Sequence, residues 1–101
     1  MIETRVQEAP FDLGAEQAKL THGRGDVGAV VSFTGHVRGV PDATLTLEHY
    51  PGMTERSLAE IAAEAVDRWP LLGGTIVHRY GKLNVGDPIV LVLVASAHRA
   101  A

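Results

Sequence analysis

The sequence has no cysteine among its 101 residues. Disulfide bonds, thiolate metal sites and cysteine nucleophiles are therefore excluded, and any sulfur chemistry would need sulfur carried by another molecule. No apolar stretch approaches the roughly 18 residues that a membrane helix needs, and the N-terminus lacks the layout of a signal peptide. We therefore expect a cytoplasmic protein that does not bind membranes.

Positive charge is also scarce. Nine Lys and Arg residues stand against twelve Asp and Glu residues, which gives a net charge of -3. Nucleic-acid binders usually carry a basic face, so no nucleic-acid partner is expected. The five histidines form no HxH or HExxH pattern, so neither a metal site nor a cofactor is predicted.

The composition is that of one folded domain spanning residues 1–101, with 46% hydrophobic and 21% charged residues. Alternating and β-branched segments predict four strands over residues 29–37, 44–50, 75–83 and 88–95. The first two strands are expected to pair antiparallel. The pattern therefore indicates an α+β fold with an antiparallel or mixed sheet.

One clear helix is predicted over residues 54–69. Thr54 is the expected N-cap, and Pro70 forces the helix to end because the residue before a proline avoids the α region. Apolar residues recur at spacings of three and four and predict one buried stripe, formed by Leu58, Ile61, Ala62, Ala65, Val66 and Trp69.

The strand over 88–95 is apolar on both faces, which predicts a central strand covered on both sides. The 54–69 helix can cover one face. A weaker helix over 13–20, capped by Asp12, is poor cover for the other. We therefore expect either a second subunit or a missing C-terminal helix and following segment to cover that face, so the domain is expected to be incomplete at its C-terminus.

Two His-Arg pairs are candidates for anion binding. His36 and Arg38 lie two apart where a strand runs into a glycine turn. His98 and Arg99 follow Ser96, the expected N-cap of a new helix, where free backbone N–H groups favour anions. Taken locally, the favoured interpretation is a solvated chain end for His98 and Arg99 and a solvated strand end for His36 and Arg38.

The remaining histidines are weaker candidates. His49 alternates with leucines and is expected to be a partly buried, satisfied side chain. His78 and Tyr80 are expected to pack on the sheet.

Five segments, in order and spacing, resemble the molybdopterin synthase catalytic (large) subunit family. The likeness runs from about residue 28 to the last residue, whereas residues 1–27 match only in general character. The matching segments are 28–38 (GAVVSFTGHVR), 45–53 (LTLEHYPGM), 68–70 (RWP), 78–81 (HRYG) and 96–99 (SAHR).

The resemblance implies an α/β-hammerhead fold and a homodimer of large subunits. Each large subunit would also bind a ubiquitin-like sulfur-carrier small subunit, giving a heterotetramer. The C-terminal thiocarboxylate of the small subunit would donate sulfur to cyclic pyranopterin monophosphate, making molybdopterin for molybdenum cofactor biosynthesis. A sulfurtransferase whose sulfur arrives on its partner fits a chain without cysteine.

By position, the resemblance implies that His36, Val37, Arg38, His98 and Arg99 bind the substrate. The two arginines would hold the phosphate or pterin oxygens. His98 would orient the substrate or relay a proton, since the ordinary pKa of histidine lies near neutrality.

The resemblance places the family's catalytic lysines in a segment after the His-Arg pair, beyond Ala101. Lys19 and Lys82 do not occupy those positions, so no catalytic residue is assigned and turnover by this chain is expected to be poor. One alternative is a truncated non-catalytic remnant that only dimerises or docks the ubiquitin-like partner. Another is a small metabolite-binding α+β domain.

Overall fold

The computed structural model describes residues 2–98, which form two sheets and two helices. A four-stranded sheet has the order β1-β4-β6-β2, and β3 and β5 form a separate two-stranded sheet. No helix in this part of the chain is long and apolar enough to cross a membrane. The predicted α+β class is confirmed. The elements are β1 Ile2–Gln7, α1 Leu13–Thr21, β2 Ala29–His36, β3 Thr44–Leu47, α2 Met53–Arg68, β4 Gly73–Arg79, β5 Gly81–Asn84 and β6 Pro88–Ser96.

The apolar strand β6 is central, as predicted. It pairs antiparallel with β4 on one side and with β2 on the other. On the edge beyond β4, β1 is parallel to its neighbour, so the sheet is mixed. β6 therefore needs cover on both faces, which explains its continuous apolar sequence.

The predicted antiparallel pairing of the strands over 29–37 and 44–50 is wrong. β2 pairs with β6, and the short β3 pairs with β5 in the small sheet. The end of β2 is tied to the start of β6, because the Val37 N–H donates to the Asp87 carbonyl at 2.9 Å. The long apolar β6 offers β2 a partner along its whole length, which the four-residue β3 does not.

The single strand predicted over 75–83 is two strands in different sheets. β4 ends at Arg79, and Gly81 has a φ of 94°, a conformation that side chains with a Cβ rarely adopt. Between them, the Tyr80 N–H donates to the Gln7 carbonyl at 3.1 Å. The break at Gly81 sends the chain into the small sheet as β5.

The long helix α2 is confirmed to within one residue at each end, but its predicted cap is wrong. Its N-cap is Gly52 rather than Thr54. The Gly52 N–H donates to the side chain of Glu55 at 2.9 Å. At the other end, Trp69 is extended, as expected for the residue before Pro70.

The buried stripe of α2 is narrower than predicted. Leu58 and Ala62 are buried against Ile76 of β4. Ile61 and Trp69, predicted to be in the stripe, are 57% and 56% exposed. The reason is that α2 packs mainly over the β1 edge of the sheet. The side of the helix that carries Ile61 and Trp69 is therefore left uncovered by the other elements of residues 2–98.

The short helix α1 covers its face better than predicted. Its N-cap is confirmed, because the Asp12 carboxylate accepts from the Ala15 N–H at 3.0 Å. The sheet residues on this side, Val77, Leu91 and Leu93, have no exposed surface. The prediction of poor cover is wrong because Leu20 of α1 is joined by Phe11 of the preceding loop.

The uncovered surface lies instead on the α2 side of the sheet. Val31 and Phe33 of β2 are 64% and 63% exposed. Their register partners on β6 are Val94 and Val92, which are half-buried. We call these four residues the open face. A contiguous apolar surface of this kind marks an interaction site more often than an isolated exposed residue does.

α1 is joined to β1 by an ion pair between Glu16 and Arg5. Glu16 is buried, and its carboxylate accepts a hydrogen bond from the Arg5 guanidinium. That hydrogen bond lowers the pKa of the Glu16 carboxyl below its ordinary value. The ionised carboxylate therefore stabilises the fold at neutral pH.

We expect Glu16→Gln to lower the free energy of unfolding by about 1.5–3 kcal/mol at pH 7, because the charge of the carboxylate that pairs with the Arg5 guanidinium is lost. Since the folded-state pKa is lowered, the contribution is complete above the unfolded pKa and disappears as pH falls through the folded one. Urea unfolding between pH 7 and pH 2 measures both effects. A difference between the two proteins that does not shrink on acidification would contradict this account.

Candidate anion-binding site

His36 ends β2 at the edge of the sheet. It is exposed, and its Nδ1 lies 3.1 Å from the Gly86 carbonyl oxygen. A carbonyl can only accept, so Nδ1 carries the proton in this contact. The other ring nitrogen, Nε2, is then left for a ligand, as acceptor when neutral and as donor when protonated.

Val37 serves as the anchor of this segment. It is 4% exposed. Its N–H donates to the Asp87 carbonyl, and its own carbonyl accepts from the Gly86 N–H at 2.8 Å. With its side chain buried and both backbone groups paired, Val37 fixes the positions of its two neighbours in the chain.

Arg38 is exposed, and its guanidinium makes no hydrogen bond or ion pair with any other residue between 2 and 98. An unpaired guanidinium offers a planar fork of donors that matches two oxygens of a phosphate or carboxylate. Arg38 is therefore the side chain at this end of the sheet best suited to bind an anion.

The turn opposite His36 is formed by residues 84–87. The Asn84 N–H donates to the Asp87 carboxylate at 2.9 Å, and the Asp87 N–H donates back to the Asn84 carbonyl at 3.0 Å. Gly86 has a φ of 97°, which this turn requires. The turn presents the Gly86 carbonyl to His36 in a fixed position.

The second predicted pair follows the end of β6. The Ser96 hydroxyl accepts from the His98 N–H at 3.1 Å, the contact expected of an N-cap. His98 is exposed. Arg99 lies outside the described residues. Ala101 lies outside them too, so the expectation that the family's catalytic lysines lie beyond Ala101 stays a prediction.

A single chain does not bring the two candidate histidines together. In the antiparallel register of β2 and β6, His36 is opposite Pro88, whereas Ala29 is opposite Ser96. Eight residues of β6 separate these rows, which is about 26 Å at 3.3 Å per residue. His36 and Arg38 therefore lie at one end of the sheet and His98 at the other.

His49 behaves as predicted for a partly buried, satisfied histidine. Its side chain is 18% exposed, its Nε2 lies 3.1 Å from the Glu55 carboxylate, and its ring stacks on Tyr80 with centroids 4.6 Å apart. Backbone N–H groups of Glu55 and Gly52, together with His49, lower the pKa of the Glu55 carboxyl. The contacts of Glu55 with Gly52 and His49 stabilise the start of α2.

Sequence reasoning missed Arg79, which is buried and bonded to carbonyl groups near the His36 end of the sheet. The sequence signal for Arg79 was its place in the 78–81 segment, one of the segments that carry the family resemblance. Within residues 2–98, no group of three His, Asp or Glu side chains could hold a metal ion. A cavity of about 550 Å³ between β1 and α2 has a mainly apolar lining that includes none of the candidate residues.

Comparison with known proteins identifies relatives along nearly the whole chain. The family model described as MoaE protein matches residues 6–101, so the likeness extends well into the segment 1–27. The molybdopterin synthase catalytic subunit of Mesorhizobium japonicum is 59% identical over 99 residues, which cover 96% of this chain and 62% of the relative. The chain spans about three fifths of the length of the first curated relatives it matches.

Solved structures agree with the sequence comparison. The molybdopterin biosynthesis MoaE protein from Burkholderia ambifaria is 47% identical with a TM-score of 0.89, and the match covers 98% of this chain and 67% of that one. Molybdopterin synthase from Staphylococcus aureus is 39% identical with a TM-score of 0.78, covering 93% of this chain and 70% of that one.

We expect Arg38→Gln to weaken binding of inorganic phosphate about tenfold or more, because a charge-assisted hydrogen-bonding fork is lost. Chemical shifts of the Gly86 and Asp87 amides during a phosphate titration measure the affinity. Arg68→Gln is the matched control, since Arg68 lies on α2 and pairs with Glu64 at 3.1 Å. Equal phosphate affinity in the Arg38 variant and the unmodified chain would show that Arg38 does not bind the anion.

Proposed function

Because the chain belongs to the MoaE protein family, we propose that it forms the sheet and the substrate-binding residues of a molybdopterin synthase catalytic subunit. The synthase transfers sulfur from the C-terminal thiocarboxylate of a small ubiquitin-like subunit to cyclic pyranopterin monophosphate, and two transfers complete the dithiolene of molybdopterin. The observation that carries the proposal is the family match over residues 6–101, which includes both His-Arg pairs.

We assign the phosphate or pterin oxygens of the substrate to Arg38 and Arg99. The unpaired guanidinium of Arg38 supports this assignment, as does the Nε2 of His36 left free by the Gly86 contact. His98 would orient the substrate or relay a proton. The chain without cysteine fits a reaction in which the partner supplies the sulfur.

A homodimer resolves the separation of the two pairs. A two-fold axis perpendicular to β2 near its middle reverses the strand, so the His36 end of one chain meets the His98 end of its partner. Each dimer would then hold two equal sites, each built from His36 and Arg38 of one protomer with the partner's His98 and the partner's Arg99. The proposed dimer is supported by the distance between His36 and His98 within a single chain, because only a second chain would bring the two candidate pairs together.

The open face is the surface that supports such pairing. Val31 and Phe33 lie at the middle of β2, where a two-fold axis near Ser32 would bring Val31 of one protomer against the partner's Phe33, and both are more than half exposed. Burying them would remove apolar surface from water, worth about 25 cal/mol per Å². The ubiquitin-like small subunit would bind separately, and its tail would have to reach one of the composite sites.

Neither lysine of the chain suits the role of the family's catalytic lysines. Lys19 lies on α1 with a 64% exposed side chain, and Lys82 lies on β5. We therefore assign catalysis to neither and expect slow sulfur transfer by the 101 residues alone. We also assign the protein to the cytoplasm, where cyclic pyranopterin monophosphate and a carrier thiocarboxylate would be available.

We expect Phe33→Ser to convert the dimer to monomers, because it removes the largest apolar side chain of the open face. Light scattering at several protein concentrations measures the mass. Met53→Ser is the matched control, since Met53 is 67% exposed but lies at the start of α2. A monodisperse monomer of the unmodified chain, or a Phe33→Ser variant that remains dimeric, would rule out this interface.

We expect the chain to form molybdopterin from thiocarboxylated small subunit and cyclic pyranopterin monophosphate in a single-turnover assay with the chain in excess. His98→Gln should slow the reaction about tenfold or more, within the range for loss of a general acid or base. His22→Gln is the control, since His22 lies in the loop after α1. Full turnover by His98→Gln would remove the role of His98.

The same assay separates the alternative function. Binding of the small subunit with no molybdopterin formed, even over long incubation, would identify a domain that only docks or dimerises. Failure to bind either the small subunit or the pterin phosphate would argue against both functions.

A further inference from the structure

We infer that Arg79 is a positioning residue for His36 and adds positive charge to the anion site, an inference that rests on the proposed function for the identity of the anion. Arg79 ends β4, and His36 ends β2. Neither residue is close to the other in sequence, and the sheet register relates them.

The guanidinium of Arg79 is buried and bonded only to carbonyl oxygens. Arg79 is 8% exposed. Its Nε and Nη2 donate to the Glu8 carbonyl at 3.2 and 3.0 Å, and its Nη1 donates to the Pro88 carbonyl at 3.1 Å. No carboxylate within residues 2–98 lies within ion-pair distance of it.

A buried cation is usually paired with a carboxylate, because carbonyl dipoles recover only part of the lost hydration. The partly buried Arg5 shows the usual solution, since it is matched by the carboxylate of Glu16. Arg79 instead keeps its full positive charge inside the sheet. A charge left uncompensated in a protein interior is a reason to look for a functional role.

The register places Arg79 and His36 on the same face of the sheet. Val77, Leu91 and Thr34 form one row across β4, β6 and β2, so their side chains share a face. β4 and β2 run in the same direction, because both are antiparallel to β6. Arg79 and His36 each lie two residues beyond this row on their own strands, although the register of β2 against β6 shifts by one residue between Gly35 and His36. Two strand spacings make the distance between their backbones about 10 Å.

Arg79 also holds the backbone against which His36 is oriented. Pro88, whose carbonyl Arg79 binds, is the register partner of His36. The adjoining turn supplies the Gly86 carbonyl to the imidazole and the Asp87 carbonyl to the Val37 N–H. Arg79 thus fixes one side of the 86–88 segment, and residues 36–37 fix the other.

Two effects follow from this arrangement. Removing the guanidinium frees the start of β6, so the Gly86 carbonyl no longer selects the tautomer of His36 with the proton on Nδ1. Removing the charge also weakens attraction of an anion beside His36, because a cation whose backbone is about 10 Å from that of His36 still contributes to the local potential there.

The test uses Arg79→Met, which removes the charge and the donors, and Arg79→Lys, which keeps the charge but cannot bind both carbonyls together. Arg68→Met is the surface control. Nitrogen-15 shifts of the His36 ring report its tautomer, and titration with inorganic phosphate reports the affinity. Circular dichroism verifies folding of each variant.

We expect the His36 ring signals to move toward a tautomer mixture in both Arg79 variants. Phosphate affinity should fall about fivefold in Arg79→Met and less than threefold in Arg79→Lys, with no change in the control. If Arg79→Met does not fold, Arg79→Lys decides alone. Unchanged His36 signals in folded Arg79→Lys would overturn the inference.

The result separates this inference from the proposed function. Altered His36 signals in a chain that never binds phosphate would retain the positioning role and reject the anion site. Phosphate binding that depends on Arg38, with His36 unaffected in Arg79→Lys, would retain the anion site and reject the positioning role.

Discussion

The antiparallel register between β2 and β6 is the constraint on which the rest of the structure depends. It joins β6, the longest strand within residues 2–98, to the strand that carries His36, and it sets His36 opposite Pro88 and Ala29 opposite Ser96. These paired rows determine how far apart the two candidate histidines lie and which residues of β2 and β6 form the open face. A shift of one residue would turn the buried side chains of β6 toward the opposite face, so burial of Leu91 and Leu93 holds the register in place.

The two faces of the sheet are closed in different ways. α1 and the loop before it seal one face so completely that Leu91 and Leu93 have no exposed surface, and the ion pair of Arg5 with Glu16 holds the helix there. α2 covers only the β1 side of the other face. The open face is therefore a consequence of where α2 lies. It includes residues of β2, the strand whose end carries the candidate anion-binding residues His36 and Arg38.

Local patterns predicted both helices and the strand segments from β2 to β6, whereas β1 was not predicted and long-range register decided how the strands pair. The apolar run of β6, the Gly86 turn and the proline stop after α2 are all set by neighbours in sequence, so they could be predicted. The partner of β2 could not, because the alternating β3 and the continuously apolar β6 are both suitable partners. The burial of Arg79 could not be predicted either, since its carbonyl partners at Glu8 and Pro88 are brought to it only by the folded sheet.

The same register links the proposed dimer to the proposed binding of the anion. A strand that begins beside Ser96 and ends at His36 keeps the two candidate histidines apart in a single chain. A phosphate carries up to two negative charges, and one exposed guanidinium in water binds it weakly. In the proposed dimer, joining the two ends across a two-fold axis would gather Arg38 and the partner's Arg99 around the anion and remove water from between them, which would strengthen each contact. On this argument, the open face and the split site have one cause, because the edge strand β2 supplies both.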